Sequence, residues 1–317
     1  MSENGEQPGA REGVERMALA ADRVPGRAPM STRRSFRRRV AGSVGWTVAA
    51  LALVVIGVPT VWLVYGVVAR AVPYWTWSVL TQPGAGASGG LENEILGTLL
   101  LVVGVVVLAG GVGVLSGIYL AEYASGRWGN LLRGGSEVLA GIPSIVLGYV
   151  GYIVLVVDFG WGFSLAAGLI VLSAMTVPYV AKSTELALRQ VPTSFREGAD
   201  ALGMREGYSL LRISLRAALP GITTGLLVAI AIAMGETAPL LYTAGFTGSL
   251  PSLALTHKPV PFLTYAVWTF YNQPSNYAVH LSYDAALILV ALVVALIVAA
   301  RLVVVWTQRH ADRRGGV

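Results

Sequence analysis

Residues Ile95–Tyr119 read ILGTLLLVVGVVVLAGGVGVLSGIY, without one charged side chain. About 20 mostly apolar residues cover the ~30 Å of hydrocarbon in a bilayer, so the run predicts a membrane-crossing helix. Five more stretches meet the same requirement: about Val44–Val72, Val138–Val157, Phe163–Ala181, Leu219–Leu241 and Tyr283–Trp306. The first is long enough to be tilted. Its length, and the basic leader ahead of it, set it apart from a cleavable signal peptide.

The composition agrees. Of 317 residues, 55% are hydrophobic and 13% charged, and the mean hydropathy is +0.65. Soluble domains carry about 25% charged residues. These values exclude an ordinary cytosolic enzyme, a disordered chain and a fibrous one, and leave an all-α polytopic membrane protein with six spans. There is no cysteine, hence no disulfide, thiolate metal site or cysteine nucleophile. His257, His280 and His310 are scattered without partners at helical spacing, which argues against a metal site. The two lysines follow Ala181 and His257, so the Gly-Lys-Ser/Thr of a phosphate-cradling loop does not occur.

Arginine sets the topology. With six spans and both termini inside, 21 of the 23 Lys and Arg lie on the cytoplasmic side, and only Arg70 and Lys258 lie outside. Residues 1–43 read as a disordered, basic cytoplasmic leader. Its Arg33-Arg34-Ser35-Phe36-Arg37-Arg38-Arg39 run suits an anionic leaflet better than nucleic acid. Residues 44–306 form the membrane domain, 307–317 a basic tail, and Gln82–Gly90 a Gly-rich outer loop.

The largest cytoplasmic connection runs from about Lys182 to Ala218. Val191-Pro192-Thr193-Ser194 predicts a turn with an N-cap at Thr193 or Ser194. A short helix follows, with Phe195, Ala199 and Leu202 on one side and Gly203 at its end. A second amphipathic stretch, Tyr208–Arg216, leads to Leu219-Pro220. Such helices either lie on lipid headgroups or dock into a groove on a soluble partner.

The spacing Glu197-Gly198-Ala199, three residues, Gly203, nine residues, Ile213-Ser214-Leu215 resembles the EAA loop of ATP-binding-cassette importer permeases. Gly198 stands where that pattern has Ala, and Arg216 where it has Pro. In that family the loop forms a coupling helix on the ATPase subunit, which makes Glu197, Gly198, Ala199, Gly203, Ile213 and Leu215 the implied coupling residues. Gly141-Ile142-Pro143-Ser144-Ile145-Val146 resembles a segment of phosphate importer permeases. Met234-Gly235-Glu236-Thr237-Ala238-Pro239-Leu240-Leu241 resembles one of their PstA family in particular. The resemblance covers about residues 90–306 and implies a type I importer fold.

These segments suit a path through the membrane. Pro143 opens a backbone hydrogen bond that Ser144 can help to satisfy, and Gly141 and Gly148 allow close helix approach. Glu236 is the one ionisable residue well inside a predicted span, a functional candidate by default, with a helix-holding role as the alternative. A carboxylate repels phosphate, so its expected role is to pair with a cation or to gate, together with its neighbours Gly235 and Thr237. The family often has an arginine four residues earlier, and here that position is Ile232. Lys182 and Glu185, three apart, resemble a basic–acidic pair that precedes the EAA loop in PstA chains. They read equally as a solvated pair or as part of the path's inner mouth. The aromatic segment Ser249–Ser282 reads as an interfacial or re-entrant helix at the headgroup level.

By resemblance, then, the chain is a non-catalytic permease subunit of a phosphate importer in the cell membrane. The implied partners are a PstC-like permease, a PstB-like ATPase dimer that holds ATP and magnesium, and a PstS-like phosphate-binding protein. This chain is expected to bind no cofactor or nucleic acid itself. Two alternatives stay open: the same machinery carrying sulfate or molybdate, and a gradient-driven carrier or channel without an ATPase.

Overall fold

The computed structural model describes residues 32–314 apart from 86–87. It divides into a unit ending at Val64 and a second beginning at Tyr65. Helix α1 covers Thr32–Ala71. From Val44 to Val64 its large apolar side chains, Trp46, Leu53 and Trp62 among them, are exposed. For a helix in hydrocarbon this is the expected state, because lipid replaces water as the solvent of the apolar face.

The second unit continues through a 3-10 turn, Val72–Tyr74, to α2, Ser78–Thr81. A minimal hairpin pairs β1, Gly84–Ala85, with β2, Ser88–Gly89. Then follow α3, Glu92–Glu122, α4, Gly126–Gly141, and α5, Ser144–Gly151, which runs on as a π-helix to Asp158. Helix α6 covers Leu165–Arg189, α7 Thr193–Ala201, and α8 Glu206–Ser209, the last extended by a π turn over Leu210–Ser214. The chain closes with α9, Leu215–Gly235, α10, Ala238–Thr243, α11, Leu263–Tyr271, and α12, Asn276–Arg314. Five of the described helical segments are long and apolar enough to cross a membrane, and the α4–α5 pair makes a sixth span if counted as one.

The core forms where α3, α6 and α9 meet. Leu101 and Val105 of α3, Leu172 of α6 and Ala233 of α9 are buried together with Phe262. Close approach of α3 and α6 depends on Gly117: a Cβ there would lie 2.5 Å from Thr184 Cβ and 2.6 Å from the Ala181 carbonyl oxygen. Small residues let helix backbones pack in lipid, where no hydrophobic effect drives helices together. Helices α6 and α9 run antiparallel, with Ser183 Oγ donating to the Gly221 carbonyl at 3.0 Å.

Several boundaries differ from those read in the sequence. The first apolar span starts at Val44 as expected, but the helix that carries it begins at Thr32, so the basic run is helical; α12 likewise continues to Arg314 through most of the expected tail. Residues 1–31 of the expected leader lie outside the described residues. The third span is not one helix. Ile142 and Pro143 are extended (ψ 130 and 133), and α4 meets α5 at 97°. Steric conflict with the proline ring drives the preceding residue out of the helical region. The fifth span breaks at Glu236, whose ψ is 131, before α10 restarts with Pro239 in its first turn. The aromatic segment, expected as an interfacial or re-entrant helix, is partly packed inside protein. Phe262 and Phe270 are fully buried, while Trp268 and Tyr271 remain exposed.

Candidate functional site

The loop between α6 and α9 projects a short helix. Pro192 precedes α7, and no side chain caps it, so neither Thr193 nor Ser194 is the N-cap; Thr193 is already the first helical residue. At the other end, the Gly203 amide donates to the Asp200 carbonyl (2.9 Å) and the Met204 amide to the Ala199 carbonyl (3.1 Å). This is the paired closure of a Schellman motif, and it requires Gly203 in the left-handed region, at φ +68.

Of the coupling candidates, Ala199 is buried and anchors α7. Glu197, Gly198 and Gly203 are exposed. Nothing lies within 4 Å of a Cβ built on Gly198 or Gly203. Leu202 is 80% exposed and does not join Ala199 in one packed face, because the helix has ended before it. Ile213 and Leu215 are half-buried at the π turn that feeds α9, where Leu215 packs beside Ile222 and Leu188. The arrangement leaves Phe195, Glu197 and Gly198 of α7, with Leu202 just past its end, exposed.

The path candidates fall into two groups. Pro143 and Ser144 form the α4–α5 elbow, and Gly235, Glu236 and Thr237 form the break between α9 and α10. The helices that follow the two breaks, α5 and α10, pack on each other. A Cβ on Gly148 would lie 2.5 Å from Pro239 Cα, and Tyr149 meets Tyr242 edge-on at 6.0 Å. Gly141 makes no such approach; nothing is within 4 Å of its built Cβ. Val146 and Leu147 amides both donate to the Pro143 carbonyl, at 3.0 and 3.2 Å, so backbone and not the Ser144 hydroxyl starts α5. Glu236 is half-buried, with Thr264 Oγ1 donating to its carbonyl oxygen at 3.0 Å. Its cleft is shared with Thr98, Leu101, Met234 and Phe262.

Lys182 and Glu185 belong to another place, near the C-terminal end of α6, and they do not pair with each other. Glu185, 3% exposed, accepts from Arg133 Nε at 2.7 Å and lies 2.9 Å from Arg189 Nη2. Lys182 Nζ is 3.5 Å from Glu137 Oε1, both side chains being exposed. All four of Arg133, Glu137, Lys182 and Glu185 line a cavity of about 170 Å³ with Leu120, Pro178 and Tyr179. Burial explains the exchange of partners: a buried carboxylate needs the nearest fixed cations, whereas Lys182 reaches outward.

Reading the sequence missed Arg133 as anything beyond a topology signal, and it missed the fork from Arg196 to Glu122, at 2.8 and 2.6 Å. It also missed two buried carboxylates in spans, Glu94 and Asp284, because both fall at the ends of the apolar runs. Each has one buried oxygen without a hydrogen-bond partner among the described residues. Among those residues no group of three or more His, Cys, Asp or Glu could hold a metal ion.

The model of a family described as "Binding-protein-dependent transport system inner membrane component" matches residues 113–315. "Phosphate transport system permease protein PstA 2" of Mycobacterium bovis is 54% identical over 289 residues, covering 91% of this chain and 96% of that protein. The "Phosphate transport system permease protein PstA" of Yersinia pestis is 34% identical over 251 residues, or 77% and 83% of the two chains. A chain of the MetNI methionine ABC transporter, solved in an inward-facing conformation, has the same fold. Its TM-score is 0.54 at 18% identity, over 68% of this chain and 97% of that one. This protein is a multi-pass membrane protein, and it belongs to the binding-protein-dependent transport system inner membrane components, as a member of their PstA permeases.

Proposed function

We propose that this chain forms one half of the translocation path of an ATP-driven phosphate importer. A PstC-like permease supplies the other half, and a PstS-like protein delivers phosphate from outside. A PstB-like ATPase dimer, holding ATP and magnesium, sits on the cytoplasmic face, where both termini of this chain lie. The observation that carries the reading is α7: an otherwise exposed helix, rooted by Ala199 and closed by Gly203, at the position where the family carries its EAA motif. A membrane subunit with no phosphate-cradling loop of its own needs a surface to receive force from outside the bilayer. When the ATPase subunits close on ATP, α7 is drawn with them, and the spans rock between inward and outward openings. The breaks at Pro143 and Glu236, whose following helices pack together, are suited to rearrange in that motion, because backbone groups freed at a break lie where a path can use them.

The test is uptake of labelled phosphate by phosphate-starved cells with and without the gene, with excess sulfate or molybdate in parallel. Loss of high-affinity uptake on deletion, its return with the gene, and indifference to the competitors are expected. Inhibition by sulfate or molybdate would assign a different oxyanion. Uptake that survives loss of the ATPase but collapses with an uncoupler would assign a gradient-driven carrier.

A further inference from the structure

Helix α7 is not glued to the spans. Its extended packing is on the segment that follows it, α8 and the π turn. Between it and the end of α3 lies a polar cavity of about 300 Å³, lined by Glu122, Tyr123, Arg196, Asp200, Glu206 and Ser209 among others. A charged pair bridges that cavity. Arg196 donates through Nη1 to Glu122 Oε2 at 2.8 Å and through Nη2 to Glu122 Oε1 at 2.6 Å. The geometry is a two-bond fork, which fixes direction as well as distance. It is also well shielded on one side, for Glu122 is only 14% exposed.

The position of Glu122 is informative. It is the last residue of a long helix, at the end whose free carbonyls repel an anion. A carboxylate placed against that field and largely removed from water needs its cation, and the cation comes from α7. The same helix end is held a second time. Arg133 of α4 donates through Nη2 to the Leu120 carbonyl (2.7 Å) and the Ala124 carbonyl (3.2 Å), while its Nε donates to Glu185 of α6.

We propose that Glu122 and Arg196 are positioning residues that form the mechanical joint between α7 and the membrane spans. A displacement of α7 pulls the end of α3 through the fork, and Arg133 passes it on to α6 and to the α4–α5 elbow. This proposal rests on α7 being the helix that docks on the ATPase.

The test uses the assembled transporter in proteoliposomes, reading phosphate moved per ATP hydrolysed, with co-purification of the ATPase as a separate measure. Arg196→Glu and Glu122→Arg are each expected to lower the ratio by about tenfold while the ATPase still co-purifies. The double exchange is expected to restore it to within about threefold of the original. Wild-type ratios in the single variants overturn the joint, as does a double variant no better than either single. If reversed charges prevent insertion, Arg196→Lys serves, because it keeps the charge and loses the fork. A ratio reduced about threefold supports the joint, and an unchanged ratio overturns it. Glu197→Arg, on the exposed face of α7, isolates the underlying reading: undiminished co-purification of the ATPase in that variant would mean that α7 is not the docking helix.

Discussion

A single backbone angle decides whether α7 stops in the right place. Gly203 sits at φ +68, and its amide is engaged by Asp200. Alanine there costs about 1 kcal/mol, since an L side chain in the left-handed region meets the following carbonyl. Proline costs more, because its ring fixes φ near −65° and removes the donor. Gly203→Pro is therefore expected to abolish ATP-dependent transport at normal membrane abundance, with Gly203→Ala retaining part of it; normal transport by the proline variant would remove α7 from the coupling path. Arg133 is a second such residue. Arg133→Ala leaves a buried Glu185 with only the half-exposed Arg189 and frees two helix-end carbonyls. Breaking a buried pair costs about 3 kcal/mol, so the melting temperature in detergent should fall clearly, and more than for Lys182→Ala, whose pair is exposed. The two cases differ in how they could be read beforehand. Gly203 is marked by its place in a linear motif. Arg133 meets Glu185 across 52 positions, and in a membrane chain an isolated arginine already has a sufficient explanation as a topology signal.

For whole elements, the apolar runs located the helices well, because hydrocarbon thickness imposes a length that charge and turn residues cannot imitate. What they did not reveal is where a run stops being one helix. Pro143 was legible as a lost hydrogen bond, yet the 97° turn at it depends on what α5 packs against. That surface includes Pro239, brought in from the other broken segment. The glycine facing it sets the distance: Gly148→Val would put its Cβ against Pro239 Cα and should push α5 and α10 apart, lowering transport strongly with α7 docking unaffected. ATPase co-purification together with uptake distinguishes that result from misassembly. At Gly117 the same substitution is expected to be worse, because it forces apart α3 and α6, the pair on which the core is built. Overpacking of this kind typically costs about 1–3 kcal/mol, and a lower yield of folded protein in detergent is the measure.

For the molecule as a whole, the break between α4 and α5 changes how much membrane the third crossing can cover. Helix α5 has eight residues and its π extension seven. At ~1.5 Å per residue they reach about 22 Å, against ~30 Å of hydrocarbon. Their outer face is apolar, with Ile145, Val146, Val150 and Val157 exposed. A short apolar segment meets a thicker bilayer by drawing the leaflets together locally. A crossing made of α5 and its π extension alone is therefore shorter than the hydrocarbon by ~8 Å, a gap that α4 or a neighbouring subunit has to cover.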